Sequence, residues 1–311
     1  MNKRGIPIAI ILIALMLLLL FSQFSFPWRE KMNLKEESIE VSGIERTYFL
    51  HIPPKMNGSL LIALHGGGGS GKSIARLTGF NELADERGFL VAYPNALRKH
   101  WNDGRGINAY YSQRGKVDDV SFISKLINHL IEKYNLDDGR VYVAGFSNGA
   151  MMAYRIACEI PERIAAIACV SGSMPKSLNC PGKSPISVLI IHGLQDPIVP
   201  WKGGELTTRS GVTLGEVLPI PEVVEYWTLR NGCSEKEERY LPDLSEDGTR
   251  VKVTRYLNPE TEAEVVLYAI EGGGHTWPGG NQYLPERIIG RTCMDFDASE
   301  AILNFFERHH K

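Results

Sequence analysis

The pentapeptide Gly145-Phe146-Ser147-Asn148-Gly149 places a hydroxyl between two glycines at the spacing G-x-S-x-G. It follows the apolar run Val141–Ala144 and precedes a segment of helical pattern, a context typical of a nucleophile elbow. Such a turn forces the serine into a strained backbone conformation, and the flanking glycines avoid the clashes that side chains would make. The pattern therefore predicts Ser147 as a nucleophile.

A serine hydroxyl needs a base to remove its proton. His275 stands in the glycine-rich segment Gly272–Gly279, directly after the predicted strand Val265–Ile270. A loop of that composition can bring an imidazole over the edge of a sheet, so His275 is the predicted base. The other histidines weighed fit less well, because they end strands, lie within a helix or belong to the polar tail: His65, His192, His129, His309 and His310.

The base in turn needs a carboxylate that fixes its tautomer and stabilises the imidazolium. Asp196 follows the strand Val188–Ile191 and lies between Ser147 and His275 in the chain. The resulting order Ser, Asp, His predicts Asp196 as the third member. The competing aspartates precede the serine or follow the histidine: Asp118, Asp119, Asp295 and Asp297.

A second glycine-rich loop, Gly66–Ser73, fits the phosphate-binding pattern G-x-x-x-x-G-K-[ST] after the strand Leu60–Leu64. Five of the six residues from Gly66 to Gly71 are glycine, so many glycine templates would match. The loop also begins His65-Gly66-Gly67, where a backbone N–H can serve an oxyanion hole. We expect the N–H groups of Gly67 and Asn148 to face a developing oxyanion. Lys72 is then a solvated residue, and nucleotide binding is the distant alternative.

Three tryptophans on predicted loops near strand ends are candidates for stacking against a substrate ring, and simple packing is the alternative for each: Trp101, Trp201 and Trp277. The short stretch from Ser147 to Asp196 leaves no room for a large lid. An open site would suit polymer ends or bulky aryl esters.

Apolar runs bounded by glycines alternate with helical patterns along the body of the chain. The expected strands are Val41–Gly43, Thr47–Ile52, Leu60–Leu64, Phe89–Tyr93, Val141–Ala144, Ala165–Val170, Val188–Ile191 and Val265–Ile270. The expected helices are Ser73–Arg87, Val117–Tyr134, Met151–Cys158, Pro221–Arg230 and Ala298–His309, with Lys202–Leu218 and Ser234–Arg250 as loops. This alternation predicts one α/β domain with a mostly parallel central sheet and helices on both faces.

The chain has 311 residues with 34 basic and 36 acidic side chains, a net charge of −2 that does not favour nucleic-acid binding. Lys3 and Arg4 precede a long apolar run that has no ionisable residue before Arg29. Residues 1–28 are therefore predicted to be a cleaved signal peptide or a membrane anchor through residues 5–28, and both alternatives stay open. We expect a linker over 29–38 and a catalytic domain over 39–311, located outside the cytoplasm.

Five cysteines lie beyond the leader, and no pair forms a C-x-x-C motif: Cys158, Cys169, Cys180, Cys233 and Cys293. Disulfides are permitted outside the cytoplasm, and the sequence does not choose their connectivity. Cys169 lies in an apolar run and is expected to be a buried free thiol.

Four motifs together resemble the polyhydroxybutyrate depolymerase and feruloyl esterase family. They are LHGGGGS at Leu64–Ser70, VYVAGFSNGAMMAYRIAC at Val141–Cys158, IHGLQDPIVP at Ile191–Pro200 and GGGHTWPGG at Gly272–Gly280. The resemblance runs from about Glu40 to Phe306.

This resemblance implies an α/β-hydrolase fold, export, and hydrolysis of carboxylic esters through an acyl-enzyme on Ser147. It implies no metal, organic cofactor or protein partner. A serine peptidase of the same fold is the nearest alternative. Family members often carry a cysteine before the last strand that could pair with one at the position of Cys233. None is present here, which leaves Cys233 to pair with another cysteine such as Cys293 or to stay free.

Overall fold

The computed structural model describes residues 34–115, 117–182, 184–208 and 210–311. The predicted leader, 1–28, and the first part of the predicted linker lie outside the described residues. The domain itself begins at Lys35, because residues 35–38 of the predicted linker already belong to its first strand. Within the described ranges, no helix is both long and apolar enough to cross a bilayer.

Ten strands form one sheet in the order β1-β2-β4-β3-β5-β6-β7-β12-β11-β10. The strands are β1 Lys35–Val41, β2 Ile44–His51, β3 Leu60–Leu64, β4 Leu90–Pro94, β5 Val141–Phe146, β6 Ala166–Val170, β7 Ser187–Gly193, β10 Glu235–Tyr240, β11 Arg250–Leu257 and β12 Glu264–Glu271. The six central strands pair in parallel, and antiparallel pairs flank them on both sides. A separate hairpin, β8 Gly204–Thr207 with β9 Thr213–Val217, is inserted after β7.

In the part of the chain that the structure describes, eight helices connect or follow these strands. They are α1 Gly71–Thr78, α2 Phe80–Arg87, α3 Tyr111–Arg114, α4 Asp119–Tyr134, α5 Asn148–Glu159, α6 Ile220–Asn231, α7 Glu286–Ile289 and α8 Ala298–Phe306. Single 3₁₀ turns lie at Leu97–Lys99 and Pro161–Arg163.

Both faces of the central part of the sheet are buried. Successive side chains of a strand point to opposite faces, and every residue of β3 and β5 is buried. On one face Val141 and Val143 pack in the cluster that contains the apolar sides of α4, α5 and α6. On the other face the ring of Tyr142 stacks on Phe306 of α8, with 4.8 Å between the ring centroids. The predicted parallel sheet with helices on both faces is confirmed.

Several predicted elements differ from the structure. The strand predicted over Val41–Gly43 lies mostly in the turn between β1, which ends at Val41, and β2, which begins at Ile44. The single helix expected over Ser73–Arg87 is two helices, because Gly79 adopts φ 60° and ends α1. The loop expected over Lys202–Leu218 contains the β8–β9 hairpin, and the loop expected over Ser234–Arg250 contains β10. β11 was not among the predicted strands. Every residue of β10 is exposed, so this strand has no apolar alternation to reveal it.

One disulfide joins Cys158 at the end of α5 to Cys180 in the loop after β6. Cys169 is a buried free thiol, as predicted. Cys233 and Cys293 are also free, so the pairing considered between them does not form.

Candidate active site

Ser147 occupies the turn between β5 and α5 with φ 55° and ψ −117°, an unfavourable conformation for a residue with a side chain. The turn is possible because its flanking residues lack side chains. A Cβ on Gly145 would lie 2.2 Å from the carbonyl oxygen of Gly149, and a Cβ on Gly149 would lie 2.3 Å from that of Leu64. The G-x-S-x-G pattern is thus a steric requirement of the turn, which leaves the serine half-buried at the carboxyl end of β5.

His275 and Asp196 form a buried pair, although 79 residues separate them in the chain. Nδ1 of His275 lies 2.8 Å from Oδ2 of Asp196, and the two residues are only 4% and 5% exposed. The second carboxylate oxygen accepts N–H groups from Ile198 and Val199, each at 2.8 Å. A carboxylate only accepts, so Nδ1 carries the proton and Nε2 presents its lone pair.

The end of β6 brings the serine and histidine loops together. Ser171 donates its hydroxyl to the carbonyl oxygen of Thr276 at 2.8 Å. A Cβ on the neighbouring Gly172 would lie 2.7 Å from the carbonyl oxygen of Ser147, so this segment contacts both loops. The imidazole of His275 also packs on Phe146, with ring centroids 5.1 Å apart.

Within the described residues, no hydrogen bond joins the hydroxyl of Ser147 to Nε2 of His275. Ser147 is only partly buried. Catalytic hydrogen bonds are often long in a free enzyme and shorten when substrate binds.

The glycine loop after β3 is oriented by His65. The Nδ1–H of this imidazole donates to the carbonyl oxygen of Gly66 at 2.7 Å, and its Nε2 accepts the N–H of Ala96 at 3.1 Å. Burial lowers the pKa of His65 to about 4, so the ring is neutral when it makes both bonds. In a trans peptide the N–H points opposite to the carbonyl. Holding the carbonyl of Gly66 therefore also fixes the direction of the Gly67 N–H.

The N–H groups of Gly67 and Asn148 donate to no backbone carbonyl in the part of the chain that the structure describes. A Cβ built on Gly67 would lie 3.8 Å from Cβ of Asn148, which places the two residues side by side. Asn148 also begins α5, where the helix dipole favours negative charge. These two donors can therefore act on one oxyanion.

A buried polar network that the sequence analysis missed holds Asn148 in place. Its side-chain amide donates to Asp103 at 2.6 Å and accepts the N–H of Trp101 at 2.8 Å. Asp103 is fully buried and pairs with Arg105 at 2.7 Å. Gln113 donates to the same carboxylate at 2.9 Å. A polar loop gives no periodic signal in the sequence, so only the structure reveals this cluster.

Two of the three candidate tryptophans are not exposed to substrate. Trp101 is 0% exposed and donates its indole N–H to the carbonyl oxygen of His65 at 2.9 Å. Trp277 is 1% exposed and donates to the hydroxyl of Ser299 at 2.9 Å. Both were expected on open loops; as they lie in the structure, no substrate ring can stack on them. Trp201 is half-buried, and its ring lies 6.1 Å from that of His192.

The phosphate-loop pattern has a structural explanation. Ser70 and Ser73 form a reciprocal capping box at the start of α1, with each side chain bonded to the other residue's backbone. Lys72 is exposed and lies 4.6 Å above the ring of Phe49.

A cavity of about 300 Å³ lies beside the glycine loop. Its other walls are Ile74 and Leu77 of α1, Phe146 and Tyr283. Tyr283 donates its hydroxyl to the carbonyl oxygen of His275 at 2.9 Å and sets its ring edge against Phe146. The cavity is therefore bounded by the residue before Ser147 and by a side chain bonded to the His275 loop. Tyr283 was also missed from the sequence, because an isolated loop tyrosine carries no distinguishing pattern.

Comparison with known proteins identifies the family. A family model described as phospholipase/carboxylesterase matches residues 51–216. The esterase NocK of Nocardia uniformis subsp. tsuyamanensis is 31% identical over 280 residues, which cover 86% of this chain and 80% of that protein. Feruloyl esterase C of Emericella nidulans is 27% identical over 241 residues, covering 72% of this chain and 84% of that protein.

Among solved structures, an acetyl xylan esterase from Aspergillus awamori superimposes with a TM-score of 0.53 at 16% identity. The match covers 78% of this chain and 94% of that one, which supports the fold alone. These matches confirm the resemblance to feruloyl esterases that the motifs indicated. The chain belongs to the phospholipase/carboxylesterase family, has the α/β-hydrolase fold, and is a carboxylic ester hydrolase.

Proposed function

We propose that this esterase works through a Ser147-His275-Asp196 triad and an acyl-enzyme. The observation that carries the proposal is the buried 2.8 Å contact between His275 Nδ1 and Asp196, next to the strained turn that presents Ser147. In the first step the Ser147 oxygen attacks the ester carbonyl carbon while Nε2 of His275 takes its proton. The N–H groups of Gly67 and Asn148 stabilise the oxyanion that forms.

The tetrahedral intermediate then collapses. Its bond to the leaving alcohol breaks, and the alcohol oxygen receives the proton from His275. Water next attacks the acyl carbon, gives its proton to His275, and releases the acid as the Ser147 oxygen regains a proton. Throughout, Asp196 holds the imidazole in the tautomer that can accept a proton at Nε2.

The substrates we propose are feruloyl or acetyl esters of polysaccharides, or hydroxyalkanoate esters and oligomers. The names of relatives support the feruloyl and acetyl esters, since feruloyl esterase C and a bifunctional acetylxylan esterase/xylanase are among them. The cavity beside the glycine loop, about 300 Å³ with Ile74, Leu77 and Phe146 in its wall, suits a small apolar or aryl group of such an ester.

The triad is tested by comparing Ser147→Ala with wild type on p-nitrophenyl acyl esters, methyl ferulate, acetylated xylan and 3-hydroxybutyrate oligomers. We expect Ser147→Ala to lower kcat by about 10⁶-fold, because removal of the nucleophile leaves only the oxyanion hole and binding. Lys72→Ala is the matched control and should retain full ester hydrolysis. Loss of function in Lys72→Ala with an active Ser147→Ala would instead support nucleotide chemistry, and cleavage of peptides in preference to every ester would support a peptidase.

We also propose that the enzyme is exported through residues 1–28. The charged start and apolar run of this segment support the proposal, and so does the Cys158–Cys180 disulfide, because such bonds persist in oxidising compartments. N-terminal sequencing of the protein from culture medium and membrane fractions separates a cleaved signal from a retained anchor. An intact, reduced protein confined to the cytoplasm would contradict export.

A further inference from the structure

His100 lies at the candidate oxyanion hole, although neither the motifs nor the triad points to it. A Cβ built on Gly67 would lie 3.2 Å from Nε2 of His100 and 3.8 Å from Cβ of Asn148. The Nε2 atom of His100 is therefore within about 5 Å of Gly67 Cα, since a carbon–carbon bond adds about 1.5 Å. His100 therefore lies beside Gly67, and Asn148 lies on the same side of that glycine.

The backbone before His100 is shaped to present this side chain. Arg98 and Lys99 both adopt positive φ, 50° and 65°, which is uncommon for residues with side chains. The ring of His100 then stacks on Tyr110, with 3.8 Å between centroids and 15° between planes. Stacking and backbone together fix the plane of the imidazole and aim its Nε2 edge at Gly67.

The tautomer of His100 follows from the hydrogen bond that its ring makes with the backbone. Nδ1 lies 3.2 Å from the carbonyl oxygen of Arg98, and a carbonyl only accepts, so Nδ1 carries the proton. Burial lowers the pKa of His100, which keeps the ring neutral at pH 7. Nε2 is then an acceptor, and within the described residues no group donates to it, while His100 itself is only partly buried.

From this placement we infer that His100 is a substrate-contacting residue whose Nε2 accepts a hydrogen bond from a hydroxyl close to the scissile ester. The inference rests on the proposed function, because it takes the carbonyl oxygen of the ester to lie at the N–H groups of Gly67 and Asn148. A carbonyl oxygen about 3 Å from the Gly67 nitrogen puts groups two or three bonds from the carbonyl within reach of Nε2. The enzyme is therefore selective for hydroxy esters.

Two sources supply such a hydroxyl. It can belong to the acyl part, as in a 3-hydroxyacyl group, or to the alcohol part, as in the vicinal hydroxyl of an esterified sugar. The chemistry that His100 recognises is the same in both cases, so matched ester pairs that differ only in one hydroxyl separate them.

The test uses two such pairs, with kcat/KM measured for each member at pH 7. The acyl pair is p-nitrophenyl 3-hydroxybutyrate with p-nitrophenyl butyrate, and the alcohol pair is 2-hydroxyethyl ferulate with ethyl ferulate. For one pair, wild type should prefer the hydroxylated member by about 3- to 10-fold, the range that one net hydrogen bond supports. The pair that shows the preference identifies the source of the hydroxyl.

His100→Phe retains a ring to stack on Tyr110 but has no acceptor. It should abolish the preference by lowering kcat/KM for the hydroxylated ester alone. His100→Gln restores a hydrogen-bonding group and should recover part of the preference, which keeps the test valid if His100→Phe folds poorly. Equal rates within both pairs in wild type, or an equal loss on both members in His100→Phe, would overturn the inference.

Failure of the triad gives a different result. If Ser147→Ala hydrolyses all four esters at the wild-type rate, the proposed function itself is wrong. If Ser147→Ala is inactive while His100→Phe keeps the hydroxyl preference, only the role of His100 is wrong.

Discussion

Replacing Asp196 by asparagine changes the candidate triad without changing its shape. One oxygen of Asp196 accepts two backbone N–H groups, so the asparagine oxygen must remain there and its NH₂ must face Nδ1 of His275. An amide NH₂ only donates, and the histidine proton would move to Nε2. The NH₂ of the asparagine cannot donate to Nε2 of His192 instead, because that nitrogen carries the proton that it donates to the carbonyl oxygen of Val199 at 2.8 Å. The imidazole is then in the tautomer that cannot accept the Ser147 proton.

We expect Asp196→Asn to lower kcat by about 10⁴-fold, the effect of a wrong histidine tautomer in a serine triad. This loss corresponds to about 5 kcal/mol of transition-state stabilisation. The assay is kcat and KM on p-nitrophenyl acetate, with thermal unfolding to show that the fold is retained. Asp138→Asn is the matched control, because Asp138 is exposed in the loop that precedes β5, at the opposite end of that strand from Ser147. A folded Asp196→Asn that loses less than tenfold would refute the tautomer argument.

Three further predictions concern the residues around the site. Arg105→Met leaves Asp103 buried without its cation and should lower the free energy of unfolding by about 3–5 kcal/mol in urea titrations. The folded pKa of His65, about 4, is below the unfolded value of about 6.5, so its contribution to stability is complete above pH 6.5 and is lost as pH falls towards 4. That contribution is about 3 kcal/mol, and His65→Gln should flatten the pH dependence of unfolding by this amount. Leu77→Ala removes part of the cavity wall and so enlarges the cavity. It should shift the preference among p-nitrophenyl esters towards longer acyl chains, with kcat/KM rising by up to about fourfold for each added buried methylene.

Each of these expectations has a contrary outcome. An Arg105→Met protein as stable as wild type would mean that Asp103 is solvated or protonated in the fold. An unchanged pH dependence in His65→Gln would show that other groups dominate acid unfolding. Identical chain-length profiles for Leu77→Ala and wild type would place the acyl chain outside the cavity.

The parts of this molecule that follow from local chemistry could be predicted from the sequence. The turn at Ser147 admits only glycine at positions 145 and 149, so its steric requirement is visible as a motif. The central strands are buried on both faces and therefore appear as continuous apolar runs. His275 and Asp196 were selected by chain order and strand-end position, and the structure brings the two side chains into contact.

Features that depend on packing between distant segments could not be predicted. The burial of Trp101 and Trp277 depends on which distant segments pack over each loop. The sequence of the loop does not identify those segments. The position of His100 depends on two residues with positive φ and on a stacking partner ten positions later. β10 could not be predicted because all of its residues are exposed and most are charged, whereas β11 has buried valines at alternate positions and was overlooked.

The outermost strands of the sheet, β1 and β10, carry dense charge. β1 reads KEESIEV and β10 reads EKEERY, with Glu238 bridged to Lys236 and to Lys252 of the neighbouring strand. Each edge strand of an open sheet has unpaired N–H and carbonyl groups, and these groups can form hydrogen bonds with the edge strand of another molecule. Pairing two of these edge strands would bring their charged side chains together and remove water from around them. Charged side chains on both outer strands therefore oppose edge-to-edge pairing of one sheet with another.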